Sequence, residues 1–159
     1  MSLLREIENR KINKNQFFIY SIGQSGYILI FKELTIYVDP YLTDYIENHK
    51  GLNEKNMRRN FPSPINPKLI KNCDAIICTH SHVDHMDPWT LNQIKTKFQL
   101  FTSIGAYHKS GLNFPESKVR FLYPEKKYQI GKINIIPYPA AHYQLADDFG
   151  RPDCLSILV

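Results

Sequence analysis

The sequence lacks the features that would place the chain in a membrane or export it. It has no run of about eighteen apolar residues, the length needed to cross a lipid bilayer. Charged side chains occupy the part of residues 1–8 where a signal peptide would carry its apolar segment. We therefore predict a cytoplasmic protein that has no membrane partner.

Cysteine is scarce, and its spacing excludes two further classes of protein. Cys73, Cys78 and Cys154 are the three cysteines, and no two of them have the CxxC spacing. An odd, widely spaced set argues against a disulfide framework and against a zinc site built from cysteine pairs. We predict reduced, mostly buried thiols. Cys78 could also neighbour a metal, but a core position is the simpler interpretation.

The remaining composition is that of an ordinary globular protein. The 159 residues are 43% hydrophobic and 22% charged, which predicts one domain spanning residues 1–159. The net charge is +5, and much of the excess comes from one basic stretch in which Glu54 is the only acid: Lys50, Lys55, Arg58, Arg59, Lys68 and Lys71. This stretch is either a solvated loop or a patch that attracts a small anionic metabolite. Aromatic residues are not interleaved with it in the manner of a nucleic-acid-binding module, which argues against nucleic acid.

Hydrophobic patterning predicts strands first and then alternating strands and helices. A helix capped by Ser2 precedes three strands within residues 17–38, which form a meander. Residues 42–71 are polar and interrupted by prolines, so they predict a loop with short helical turns.

The second half of the chain follows a β-α-β-α-β order. Strands are predicted at 74–78, 99–102 and 118–122, with helices from Asp87 and at 104–109, the latter ended by Gly111. This order predicts parallel strands. Leu91, Ile94 and Phe98 are predicted to form the buried stripe of the first of these helices. A hairpin at 128–136 and a last strand at 154–159 complete the pattern.

The densest group of chemically active side chains follows the apolar run 74–78. Three histidines and one aspartate lie within six residues: His80, His82, Asp84 and His85. Imidazole is the commonest transition-metal ligand, and carboxylate often joins it. His80 and His82 are two apart, so extended backbone turns both to one side, and the chain must turn before the next helix. A solvated histidine-rich turn is the alternative, but the strand-loop-helix context favours metal binding.

Two further residues follow predicted strands and could join this group. Asp39 precedes Pro40, and the sequence supports a turn former and a carboxylate that orients a ligand equally well. His142 follows Ala140 and Ala141, whose small side chains leave room beside it. A lone histidine is more often structural than a ligand, but this one again comes directly after a strand.

The HxHxDH motif at His80, His82, Asp84 and His85, together with Asp39 and His142, resembles the metallo-β-lactamase fold superfamily. The finer pattern at 23–26, 38–41, 78–88 and 139–142 is similar to the branch that contains L-ascorbate 6-phosphate lactonase. The resemblance runs from about Phe17 to Val159. It implies an α/β protein with the αβ/βα sandwich architecture, of which this chain supplies the N-terminal half as a mixed sheet with flanking helices.

The resemblance also implies roles for the site residues. His80, His82 and His142 would bind a first ion, zinc or manganese, and Asp84 and His85 would serve a second. Asp39 would brace the ligands, and Asp84 would act catalytically by orienting the attacking water. Metal-activated water would then open a lactone or similar ester of a phosphorylated sugar-type substrate. A phosphodiesterase of the same fold and a non-catalytic or truncated remnant are the alternatives.

The sequence departs from the family at its C-terminal side. No histidine follows His142, and Asp147, Asp148 and Asp153 precede the last strand, too early for the bridging aspartate of the family. Half of a sandwich would expose an apolar sheet face. We therefore expect either a missing C-terminal half or a homo-oligomer in which a second chain covers that face.

Overall fold

The computed structural model describes residues 3–13, 15–49, 58–142, 145–146 and 148–159. Ser2, Lys50, Lys55 and Asp147 therefore lie outside the described residues. The helices of the described part are α1 (Leu3–Asn9), α2 (Tyr45–Asn48), α3 (Pro88–Gln93) and α4 (Ile104–Ser110). The strands are β1 (Phe18–Gly23), β2 (Gly26–Phe31), β3 (Leu34–Val38), β4 (Ala75–Ile77), β5 (Gln99–Thr102), β6 (Val119–Phe121), β7 (Tyr128–Ile130), β8 (Ile133–Ala140) and β9 (Cys154–Leu158). Two 3-10 turns span Pro67–Leu69 and Glu116–Lys118.

Six strands form a mixed sheet in the order β1-β2-β3-β4-β5-β6. The first three are antiparallel, as the meander predicted, because only two-residue connections join them. From β3 onward the strands are parallel, with Tyr37 opposite Ile76 and Ile76 opposite Leu100. The parallel strands are joined by longer crossovers that carry α3 and α4. The predicted β-α-β-α-β order and its parallel pairing are confirmed.

A second, antiparallel sheet has the order β7-β8-β9. Strand β8 is longer than the predicted strand and continues through Pro137 and Pro139. These prolines are two residues apart, so their nitrogens face the same edge of the strand. Glu125 N donates to Pro137 O at 2.7 Å on that edge, whereas β9 pairs along the other one. The missing N–H groups therefore cost β8 none of its bonds to β9.

Side chains of the mixed sheet alternate between two cores. Ile76 packs with Ile7 of α1 and Leu91 of α3 on the helix-covered face. Its neighbour Ile77 packs on the other face, against residues of the second sheet such as Leu155. Strand β4 is buried on both faces, which explains its continuous apolar sequence. The α/β fold class with a mixed sheet and flanking helices is confirmed.

The prediction for α3 is wrong beyond Leu91. The helix ends at Gln93, Ile94 is extended with ψ 120°, and Phe98 lies in the segment that leads into β5. Both side chains still pack in the helix-side core, where the Phe98 ring stacks on Phe114 with centroids 5.6 Å apart. Apolar spacing cannot distinguish a long helix from a short one followed by extended chain when both bury the same residues.

Other predictions concern the loops and the thiols. Residues 42–71 contain only short helical turns among their described residues, as predicted, and Gly111 ends α4 with a φ of 62°. The three cysteines are free and buried. No described helix is long and apolar enough to cross a membrane. The expectation that a second chain or a missing C-terminal half covers an apolar sheet face stays a prediction.

Candidate metal centre

The site is built where β3 and β4 end side by side. Asp39 N donates to Ile77 O at 2.9 Å, which continues the pairing of the two strands past their ends. The Asp39 side chain then accepts hydrogen bonds from Thr79 N and Thr79 Oγ1, both at 2.7 Å. Asp39 has a φ of 46°, a left-handed conformation that aspartate tolerates better than most residues. A Cβ at Gly26 would lie 3.0 Å from Asp39 O, so this close approach favours glycine there.

The histidine-rich loop is a compact turn fixed at its far end by α3. His85 N and Met86 N both donate to His82 O, at 2.9 and 2.8 Å. Asp87 is fully buried and caps α3 by accepting from Trp89 N at 2.9 Å. Thr43 Oγ1 donates to the same carboxylate at 2.7 Å. The loop is therefore held by strand β4 on one side and by a capped helix on the other.

Three histidines converge at this sheet edge. The ligand nitrogens of His80, His82 and His142 all lie within 4.8 Å of one another. His80 Nε2 is 3.1 Å from His82 Nδ1. His80 is buried, His82 is half-buried and His142 is exposed. Within the described residues, this is the group of histidine, cysteine and carboxylate side chains whose spacing suits a single metal ion.

Thr79 determines which nitrogen of His80 is free to bind an ion. The Thr79 hydroxyl has one proton, and it donates this proton to Asp39 Oδ2. Its oxygen can then only accept from His80 Nδ1, which lies 3.1 Å away. That contact assigns the proton of His80 to Nδ1 and leaves Nε2 as the ligand nitrogen facing His82.

Burial and the neighbouring imidazoles keep His80 and His82 neutral, which is the form that binds metal. Burial, together with the neighbouring His85 and His82, lowers the pKa of His80 to about 4. Burial and the proximity of His142 also lower the pKa of His82. Both imidazoles therefore present lone pairs at neutral pH. A neutral imidazole need not release a proton before it binds a divalent cation, so these two donors are suited to one.

The pKa of His85 is shifted in the opposite direction to those of His80 and His82. Its Nδ1 lies 2.8 Å from Asp39 Oδ2, and its Nε2 lies 3.8 Å from Asp84 Oδ2. Burial alone would lower the pKa of His85, but the hydrogen bond to Asp39 and the charges of Asp39 and Asp84 outweigh it, so the pKa is raised. The His85 ring lies against that of His80, with centroids 3.9 Å apart.

The structure separates the predicted site residues into two sets. His80, His82 and His142 form the converging group, whereas Asp84 and His85 stand beside it and outside the 4.8 Å spacing. The assignment of this second pair to a second ion stays a prediction. Asp39 contacts His85 and Thr79 directly. Sequence reasoning missed Thr79, although its position between β4 and the motif was the available signal.

A small cavity of about 20 Å³ opens beside the three histidines. Its wall consists of His80, Ser81, His82, Lys109, His142, Asp153 and Cys154. By its position in the sequence Asp153 comes too early for the bridging aspartate of the family, yet its side chain lines this cavity. The reason is a contact between strands, because Leu155 N donates to Thr79 O at 3.0 Å and draws the start of β9 to the end of β4.

Within the described part of the basic stretch, Arg59 has a structural role. Arg59 N donates to Glu47 Oε1 at 3.0 Å, and its guanidinium donates to Ile22 O at 3.1 Å and to Phe61 O at 3.2 Å. It thereby ties the loop to the end of β1. Lys68 and Lys71 are exposed, as a solvated loop predicts.

Comparison with known proteins places this geometry in a recognised fold. The family described as "Beta-lactamase superfamily domain" matches residues 18–154. The structure is similar to a possible metal-dependent hydrolase from Veillonella parvula, with 19% identity and a TM-score of 0.62 over 89% of this chain and 58% of that one. It is also similar to Igni18, a metallo hydrolase from Ignicoccus hospitalis, with 17% identity and a TM-score of 0.54 over 89% and 55% of the two chains.

A third similar structure has a different reaction. CmlA, a diiron β-hydroxylase from Streptomyces venezuelae, is 15% identical with a TM-score of 0.52, over 81% of this chain and 25% of that one. No curated protein matches the sequence. The chain spans 58% and 55% of the Veillonella and Ignicoccus proteins. At these identities the similarity establishes the fold alone.

The raised pKa of His85 gives a direct prediction. In Asp39→Asn the charge and the strongest acceptor are removed, so burial dominates and the pKa of His85 falls below its wild-type value. NMR titration of the imidazole protons in metal-free protein measures this change. Asp74→Asn is the matched control, because Asp74 accepts from Thr35 N at 2.7 Å at the opposite end of the sheet. An unchanged His85 pKa in Asp39→Asn would contradict the assignment.

The orienting role of Thr79 gives a second prediction. Thr79→Val keeps the shape of the side chain but removes the hydroxyl that orders His80, so the affinity for Zn²⁺ should fall about 10- to 100-fold. Competition with a chromophoric chelator measures this affinity. Thr35→Val, a buried substitution in β3 away from the motif, should leave it unchanged. Equal affinities of Thr79→Val and wild type would show that the hydroxyl does not orient the ligand.

Proposed function

Because the chain belongs to the beta-lactamase superfamily domain family, we propose that it is the metal-binding part of a metal-dependent hydrolase. The observation that carries this proposal is the convergence of His80, His82 and His142 within 4.8 Å. The neutral state of the first two and the ordering of His80 by Thr79 support it. The solved hydrolases of similar fold support the same class of reaction.

The donor set is suited to a divalent transition metal. Three imidazole nitrogens suit zinc and iron, and nearby carboxylates extend the range to manganese. A divalent ion in such a site polarises a carbonyl or phosphoryl group and lowers the pKa of bound water. We propose zinc or manganese for this chain. The iron of CmlA, in a similar fold, indicates that the fold alone does not determine the metal.

The roles of the surrounding residues follow from their contacts. His80, His82 and His142 would bind the ion, and Asp39 would hold Thr79 and His85 in place beside it. We propose that Asp84 orients the attacking water and accepts its proton, since its carboxylate is partly exposed at the site. His85, whose pKa is raised by Asp39 and Asp84 against the effect of burial, would stabilise negative charge that develops on the substrate.

For the substrate we propose a small anionic lactone or a similar ester of a phosphorylated sugar. This finer proposal rests on the sequence motifs around residues 23–26, 38–41 and 139–142. Lys109 supports it, because its side chain lines the cavity beside the three histidines and, although it pairs with Asp153, stays more than half exposed with its positive charge. An anionic group on the substrate would be attracted to that charge.

Metal analysis combined with hydrolysis assays tests the proposal. Purified chain loaded with Zn²⁺ or Mn²⁺ should retain the ion stoichiometrically and hydrolyse a phosphorylated sugar lactone faster than a phosphodiester. In His82→Ala the metal affinity should fall more than about 100-fold, because loss of an outer partner alone costs 10- to 100-fold. His108→Ala is the matched control, since His108 is exposed on α4 and outside the converging group.

Each alternative function has its own outcome in this experiment. Preference for the phosphodiester would favour a phosphodiesterase of the same fold. Stoichiometric metal without hydrolysis of either substrate would favour a non-catalytic metal-binding domain. A chain that retains neither ion would contradict the metal site itself.

A further inference from the structure

The buried carboxylate of Asp153 has an incomplete set of partners. Asp153 is 6% exposed, and its Oδ2 forms an ion pair with Lys109 Nζ. Its Oδ1 is buried and accepts no hydrogen bond from the residues that the structure describes. A buried carboxylate oxygen without a partner is costly, and in native proteins such atoms usually serve a water molecule, an ion or a reaction.

The location of Asp153 indicates which partner its Oδ1 serves. Asp153 lines the same cavity of about 20 Å³ as His80, His82 and His142. A space of this size holds about one water molecule or a single ion. The bond from Leu155 N to Thr79 O fixes the start of β9 against the histidine-bearing loop, so this proximity is part of the strand pairing.

Charge balance leads to the same inference. Lys109 brings a positive charge to the cavity wall. The charge of this lysine, without a compensating anion, would repel a divalent cation. Asp153 compensates Lys109 through Oδ2. An ion that is bound by three imidazoles alone keeps its full charge, and a carboxylate beside such a site balances part of that charge.

We propose that Asp153 is a further carboxylate at the edge of the cation site, outside the group of ligand atoms that lie within 4.8 Å of one another, with Oδ2 held by Lys109 and Oδ1 serving, as an outer partner, the ion bound by His80, His82 and His142. This inference rests on the proposed function, since it takes the ion to be a divalent metal. It assigns Lys109 the role of positioning Asp153. The competing interpretation is that Asp153 and Lys109 form a structural ion pair that is indifferent to metal.

Zn²⁺ and Co²⁺ binding to variants of the full chain separates these interpretations. Asp153→Asn keeps the size of the side chain and removes its charge, so the Zn²⁺ affinity should fall about 10- to 100-fold. The visible absorption spectrum of the Co²⁺-loaded chain, which reports coordination geometry, should also change. Asp148→Asn is the matched control, because Asp148 is exposed nearby and does not line the cavity.

Lys109→Met provides a second, independent variant. It leaves Asp153 buried and without its cation, so the metal-free protein should melt at a lower temperature than wild type. Zn²⁺ would then compensate the carboxylate, and the increase in Tm on adding Zn²⁺ should exceed that of wild type. This variant keeps the inference testable even where Asp153→Asn does not fold.

The outcomes distinguish this inference from the proposed function. If wild type binds Zn²⁺ and Asp153→Asn binds it equally well with an unchanged Co²⁺ spectrum, Asp153 is a structural residue and this inference alone is overturned. A Zn²⁺-induced increase in Tm that is no larger in Lys109→Met than in wild type would also overturn it. If wild type binds neither ion, the proposed function and this inference are both overturned.

Discussion

The hydrogen bonds between the Asp39 carboxylate and Thr79 are the interaction on which the rest of the site depends. They join the ends of β3 and β4, and they fix the residue from which the histidine-rich loop starts. Through the hydroxyl of Thr79 the same carboxylate determines the tautomer of His80, and through Oδ2 it holds His85. One buried charge therefore orders two imidazoles that the sequence motif merely brings close together.

This arrangement is costly for the fold, and the local sequence offsets the cost. The Asp39 carboxylate is buried, and burial of a charge is unfavourable unless partners compensate it. Its φ of 46° adds backbone strain. Three hydrogen-bonding contacts compensate the charge, and the glycine at position 26 leaves room for the backbone of Asp39. Such strain persists where many surrounding contacts fix the backbone conformation. Here the paired ends of β3 and β4 supply these contacts.

Much of the fold and the histidine-rich motif of the site could be predicted from the sequence because they depend on local patterns. The meander, the parallel strands and the cap of α3 each follow from the order of apolar, glycine, proline and acidic residues. Thr79 and Asp153 could not be assigned in this way, because their roles depend on contacts between distant segments. The bond from Leu155 to Thr79 joins residues 76 positions apart (155 − 79), and no periodicity in the sequence reports it.

The central claim is that His80, His82 and His142 bind one divalent metal ion. X-ray absorption at the zinc edge of the Zn²⁺-loaded chain tests this claim most directly, since it counts imidazole ligands and measures their distance from the ion. The predicted spectrum shows three imidazole nitrogens at about 2.0–2.1 Å, and His142→Ala should show two. A spectrum without imidazole scattering, or one that His142→Ala leaves unchanged, would contradict the claim.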